Sequence, residues 1–105
     1  MTLDTLTAAD FTTYTGRSFE IHYGQSEAIS VTLTNVREAP YVRVNVPNTR
    51  QGFSLLFQSS IRQYLPQGVY RLTEPDFNAA HGEIELFMVP LAPNAEGVQY
   101  EVIFN

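Results

Sequence analysis

His22 follows Glu20 by two residues in the segment "SFEIHY", whose alternation sets both side chains on one face of a strand. Such a pair can begin a metal site, but a stable one needs at least a third ligand, and a solvated strand face commonly carries such residues without one. His81 stands in "NAAHGE" with Asp76 and Glu83 on either side. A base oriented by a carboxylate has this composition, yet no nucleophile motif such as G-x-S-x-G accompanies it. The expected setting is an exposed turn. Glu83 and Glu85 alternate in "GEIELF", and Glu101 could lie across a hairpin from them. Paired carboxylates serve as acid and base in glycoside hydrolysis. On a solvated strand they pair with an arginine more often, and Arg71 on the preceding strand is the candidate. Phosphate loops, HExxH and EF-hand patterns are missing from the sequence. The expectation is therefore a non-enzyme without catalytic residues, metal or cofactor.

Cysteine and lysine are both absent, which removes disulfides, thiolate ligands, Schiff-base chemistry and the P-loop lysine. Six arginines face eleven carboxylates, for a net charge of -5. Because the arginines at 17, 37, 43, 50, 62 and 71 are dispersed, the counterion release that drives nucleic-acid binding has no clustered source. Neither nucleic acid nor a membrane is expected as a partner. The longest apolar run, Leu86 to Val89, is far below the roughly 18 residues of a spanning helix. The start "MTLDTLTAADF" lacks a basic n-region and an apolar h-region, so no signal peptide is expected. The expected localisation is cytoplasmic or within an assembled particle.

At 105 residues, with 44% apolar and 16% charged side chains, the chain is expected to be one domain over 1–105. Residues 4–16 would form an N-terminal helix and cap, and 17–105 a β domain. The helix begins near Thr7, where Leu6, Ala9, Phe11 and Tyr14 recur at three and four spacing, and ends at Gly16 in a left-handed position. After Gly16 the period becomes two. Phe19, Ile21 and Tyr23 alternate with polar residues, as do Ile29, Val31 and Leu33, with "GQSE" turning between them. "YVRVNV" at 41–46 is flanked by Pro40 and Pro47, which marks an edge strand. Strands are also predicted at 53–58, 69–73, 84–89 and 98–105, with 74–83 as a loop. The fold class is all-β: a mostly antiparallel small barrel or sandwich of about seven strands with one short N-terminal helix.

Thirteen aromatics are many for this length. Phe11, Phe19, Phe53, Phe57, Phe87 and Phe104 fit the core phase or the helix face. Tyr41, Tyr64 and Tyr70 fall near strand ends, where they would close the core's rim or meet a partner. In "LPQGVYRL", Leu65 anchors a corner and Pro66 presets one turn angle. Gly68 can take a positive φ, so Gly68→Val is expected to unfold the domain.

The segments "LTAADFTTYTGRSF" at 6–19, "FSLLF" at 53–57, "LPQGVYRL" at 65–72, "ELFMVPL" at 85–91 and "YEVIFN" at 100–105 carry a resemblance. Together they resemble an uncharacterised family of short bacterial proteins, a domain of unknown function. Its members carry a shorter glycine turn where this chain has "DFNAAHGE". The resemblance implies no catalytic or ligand residues. It implies a genomic context beside phage-tail-collar-type proteins. The expected function is a non-enzymatic structural or protein-interaction module, accessory to a phage-tail-like or fibre-type assembly. Its partner would be another protein of tail-collar or fibre type, and a homo-oligomer is compatible. Tyr41, Arg43, Asn45, Tyr64 and Arg71 form the candidate interaction surface. The alternative is a small-molecule or glycan-binding β domain using the loops at 47–52 and 74–82.

Overall fold

In the computed structural model, residues 6–38, 52–61 and 64–104 are described. Two short helices, α1 (Ala8–Thr12) and α2 (Pro75–His81), accompany six strands: β1 (Ser18–His22), β2 (Ala28–Glu38), β3 (Phe53–Ser59), β4 (Gly68–Thr73), β5 (Ile84–Pro90) and β6 (Val98–Phe104). The strands close into a barrel in the order β1-β2-β3-β6-β5-β4, every pair antiparallel. The expected all-β class is therefore found as a barrel, with six strands among the described residues. The predicted strand at 41–46 lies outside them.

Alternation makes the barrel. Phe19 and Ile21 of β1, Ile29, Val31 and Leu33 of β2, and Phe53, Leu55 and Phe57 of β3 all point inward and are buried. Val98, Tyr100, Val102 and Phe104 do the same on β6, as the sequence pattern predicted. A register shift between Leu33 and Asn35 interrupts β2 at Thr34, whose hydroxyl donates to the Leu56 carbonyl at 3.0 Å. The extra residue lets Val36 return to the inward phase and pack against the core.

β3 and β4 stand opposite each other in the ring, so the connection between them crosses one end of the barrel. Tyr100, from inside, holds that crossing: its hydroxyl accepts the Leu65 N–H at 2.9 Å. Leu65 and Tyr70 pack against the core there, and the Tyr70 hydroxyl donates to the Pro66 carbonyl at 2.5 Å. Burial pushes the Tyr100 phenol above its ordinary value near 10, the Leu65 amide opposes that rise, and nearby Tyr70 adds to it.

Both helices sit at the opposite end, because α1 leads into β1 and α2 joins β4 to β5. In α1 the Thr7 N–H donates to Asp10 Oδ2 at 2.8 Å, and the Asp10 N–H returns to the Thr7 carbonyl at 3.1 Å. The helix is shorter than its pattern suggested, and turns carry the chain to Gly16. Gly16 takes the expected positive φ of 90° and donates to the Leu33 carbonyl at 2.7 Å. The loop predicted at 74–83 contains α2 instead. Glu74 caps it by accepting the Phe77 N–H at 2.7 Å, Pro75 opens its first turn, and Gly82 follows at φ 81°.

Arg17 ties the two helical corners together. It reaches Glu74 at 3.2 Å and Asp76 at 2.6 Å, the only ion pairs among the described residues, and its guanidinium lies 5.4 Å from the Tyr14 ring centroid. Glu74 is 6% exposed, so its second oxygen depends on this partner.

The glycine that the structure needs is not Gly68. Gly68 opens β4 without a positive φ, and a Cβ there would meet only the Tyr70 ring at 3.8 Å. Gly97 adopts φ 148°, and a Cβ would collide with the Ser59 carbonyl. Its loop is pinned to β3 by the paired amides of Asn94 and Gln58, 2.9 and 3.2 Å apart.

Two outcomes follow for urea denaturation. Gly97→Ala should lose about 2 kcal/mol or more, while Gly68→Ala stays within about 0.5 kcal/mol of wild type. For Tyr100 the folded chain holds its phenolic proton more tightly than the unfolded chain. Its contribution is whole below pH 10 and is lost as pH rises through and beyond that value. Tyr100→Phe should cost about 1 kcal/mol at neutral pH by stranding the Leu65 amide, and should fall less steeply than wild type in alkaline solution.

Candidate functional site

The barrel interior is filled by side chains, so groups available to a ligand or partner lie on its outer wall. Of the expected surface residues, Tyr41, Arg43 and Asn45 lie outside the described residues. Tyr64 is 59% exposed in the connection before β4. Arg71 projects from the middle of β4, in register with His22 on one side and Glu85 on the other.

His22 does point outward beside β4, where its Nε2 meets the Thr73 hydroxyl at 2.8 Å. Among the described residues no three His, Asp or Glu side chains gather in metal-binding range. His81 is not in a turn: it ends α2 and lays its ring 4.6 Å from that of Phe77. Asp76, considered as its orienting carboxylate, is held by Arg17. Of the glutamates, Glu85 stands opposite Arg71 across the ladder but forms no ion pair with it, and Glu101 stands opposite Val89 and not beside Glu83 or Glu85.

The correction of most consequence is Phe87. Its expected place in the core is wrong: it is 52% exposed on the outer face of β5. The inward phase of that strand belongs to Ile84, Leu86 and Met88, and Phe87 shares its phase with Glu85. Directly opposite on β4 is Val69, 61% exposed, and on β6 Ile103 is 63% exposed. None of these was singled out from the sequence as surface, although the position of Glu85 marks the outward phase.

Two shallow concavities indent the neighbouring wall. One, of about 190 Å³, is lined by Asn35, Arg37, Ser54, Leu56, Leu91 and Glu101. The other, of about 310 Å³, is lined by polar groups including Ser30, Thr32, Gln58 and Glu96. The first joins one cation and one anion over an apolar floor; the second offers hydroxyls and amides.

Inner and outer phenylalanines should separate cleanly in thermal melts of dilute protein. Phe87→Ser should move Tm by no more than about 3 °C, whereas Phe57→Ser should cost several kcal/mol and leave little folded protein.

No curated protein and no solved structure matches the chain. A family model described as a domain of unknown function, DUF6916, matches residues 6–104. That span takes in α1, α2 and the six strands of the described residues, and the segments that carry the resemblance as far as Phe104. The chain belongs to the DUF6916 family.

Proposed function

We propose that this chain is a non-enzymatic structural or protein-interaction module whose outer wall, built from β4, β5 and β6, docks another protein. One observation carries the reading: Val69, Phe87 and Ile103 are large apolar side chains left more than half exposed on one side of the barrel. Scattered exposed apolar residues are ordinary, but a group of them on one wall marks contact surfaces. Further support comes from the histidines. His22 is bonded to Thr73 and His81 is stacked on Phe77, so each has a structural role. The dispersed arginines and the net charge of -5 favour a protein partner over nucleic acid.

The finer role, accessory to a phage-tail-like or fibre-type assembly in a bacterium, rests on the sequence resemblance alone. A second reading, binding of a small molecule or glycan, is favoured by the concavity that places Arg37 and Glu101 over Leu56. A glycan array and a thermal-shift ligand screen that both stay silent remove it.

The main reading is tested by immobilising the full chain and presenting co-expressed proteins encoded beside it. A partner should be retained by wild type and lost by Phe87→Ser. If nothing is retained, or if Phe87→Ser retains the same proteins equally well, the wall is not the docking surface.

A further inference from the structure

We propose that the concavity lined by Asn35, Arg37, Ser54, Leu56, Leu91 and Glu101 binds a small zwitterion with an apolar body, namely an apolar α-amino acid. The proposal rests on the small-molecule reading of that concavity and names the ligand class.

Strand register builds the site on the outer wall. Asn35 stands opposite Leu56, and Leu56 stands opposite Glu101, so the three form one row across β2, β3 and β6. Arg37 stands opposite Ser54, two residues along the same strands and therefore on the same face. Arg37 and Glu101 thus flank β3 from opposite sides, with Leu56 and Ser54 between them. Leu91 follows β5 and is fixed to β6 by its N–H, which donates to the Gln99 carbonyl at 2.8 Å.

The polar groups of this concavity are not engaged within the described chain. Arg37 and Glu101 form no ion pair, with each other or with any other residue, and Asn35 and Ser54 make no side-chain hydrogen bond. The polar concavity beside it differs. There Gln58 is already paired with Asn94, and the Ser59 hydroxyl accepts the Ile61 N–H at 3.0 Å, so a ligand would have to displace bonds already made.

Charge and size select the ligand class. A monoanion drawn to Arg37 is repelled by Glu101, and a monocation drawn to Glu101 is repelled by Arg37. A neutral sugar leaves both charges without a partner. A zwitterion serves both: its carboxylate accepts from the planar guanidinium of Arg37, and its ammonium donates to the Glu101 carboxylate. Its apolar side chain then covers Leu56 and Leu91. The volume of about 190 Å³ is below the roughly 300–1,000 Å³ of pockets for drug-sized ligands, which limits the occupant to a small molecule. Arg37 is exposed and Glu101 is half-buried, so solvent screens both contacts and binding should be weak, in the millimolar range.

Amide NMR titration of the isotope-labelled full chain with L-leucine tests this. Saturable shifts should be confined to the six lining residues and their chain neighbours. Leucinamide, which lacks the carboxylate, and N-acetyl-leucine, which lacks the ammonium, should each bind roughly tenfold more weakly or worse. Arg37→Gln and Glu101→Gln should each weaken L-leucine binding to a similar extent while the rest of the spectrum stays in place, since neither side chain holds the fold. Arg71→Gln, on the far strand β4, should bind as wild type does. Absence of saturable shifts overturns the proposal, as do shifts centred elsewhere or equal binding of the two blocked derivatives. If L-leucine fails but a glycan or another small molecule moves the same six residues, the ligand class is wrong and the small-molecule reading stands.

Discussion

Phe11 is the point through which the two helices and the barrel are joined. From α1 its ring stacks 4.9 Å from Phe77 of α2 and reaches Phe104 of β6 at 5.6 Å and Phe53 of β3 at 5.9 Å. Phe53 and Phe104 stack in turn at 4.4 Å. A closed sheet of six strands has two open ends, and an interior this apolar must be sealed at both. At one end the aromatic group does so. Neither helix is long enough to be stable alone, and α1 carries threonines with low helix preference, so each depends on burying one phenylalanine in that group. The Arg17 bridge to Glu74 and Asp76 then fixes the outer rim of the same end.

Sealing the ends leaves the outer wall as the face on which strand side chains meet solvent. Between β5 and β6 the ladder consists of Val89 with Glu101 and Pro90 with Tyr100. Outward of that seam stand Phe87 and Ile103. The same two strands therefore hold the core on one face and expose apolar side chains on the other. In a solvated antiparallel wall, that exposure is hard to explain by folding alone.

Much of the strand pattern is legible in the residues, because one dry face and one wet face impose a period of two. Phe19, Ile21, Ile29, Val31 and Leu33 announce the first hairpin, and Val98 to Phe104 the last strand. The closure of β1 on β4 is not legible, since pairing between strands distant in sequence leaves no periodic trace. Helix α2 escapes notice for a different reason. It is seven residues long and buries one large side chain, Phe77, so no helical period can show, although Glu74, Pro75 and Gly82 are its start and stop signals. Phe87 is misplaced when residue type is weighed above phase: Glu85 is in the same phase, and a charged side chain cannot share a dry face without a partner. Gly68 and Gly97 differ in backbone angle, positive only at Gly97, and in what surrounds them, namely open space near Tyr70 against the Ser59 carbonyl, and neither difference can be read from the residue type. Of the candidate surface, Arg71 and Tyr64 are legible as polar and aromatic groups, whereas Val69 and Ile103 carry no mark of exposure in their residue type.

The account depends on the aromatic joint acting as a unit, and a double-mutant cycle on Phe11 and Phe77 measures that directly. Phe11→Leu, Phe77→Leu and the double variant would be compared with wild type by urea denaturation. If the joint couples the helices, the double variant should lose less than the two single losses combined, by about 1 kcal/mol. Losses that add, leaving no coupling beyond a few tenths of a kcal/mol, would mean that α1 and α2 seal the barrel independently and would contradict the account.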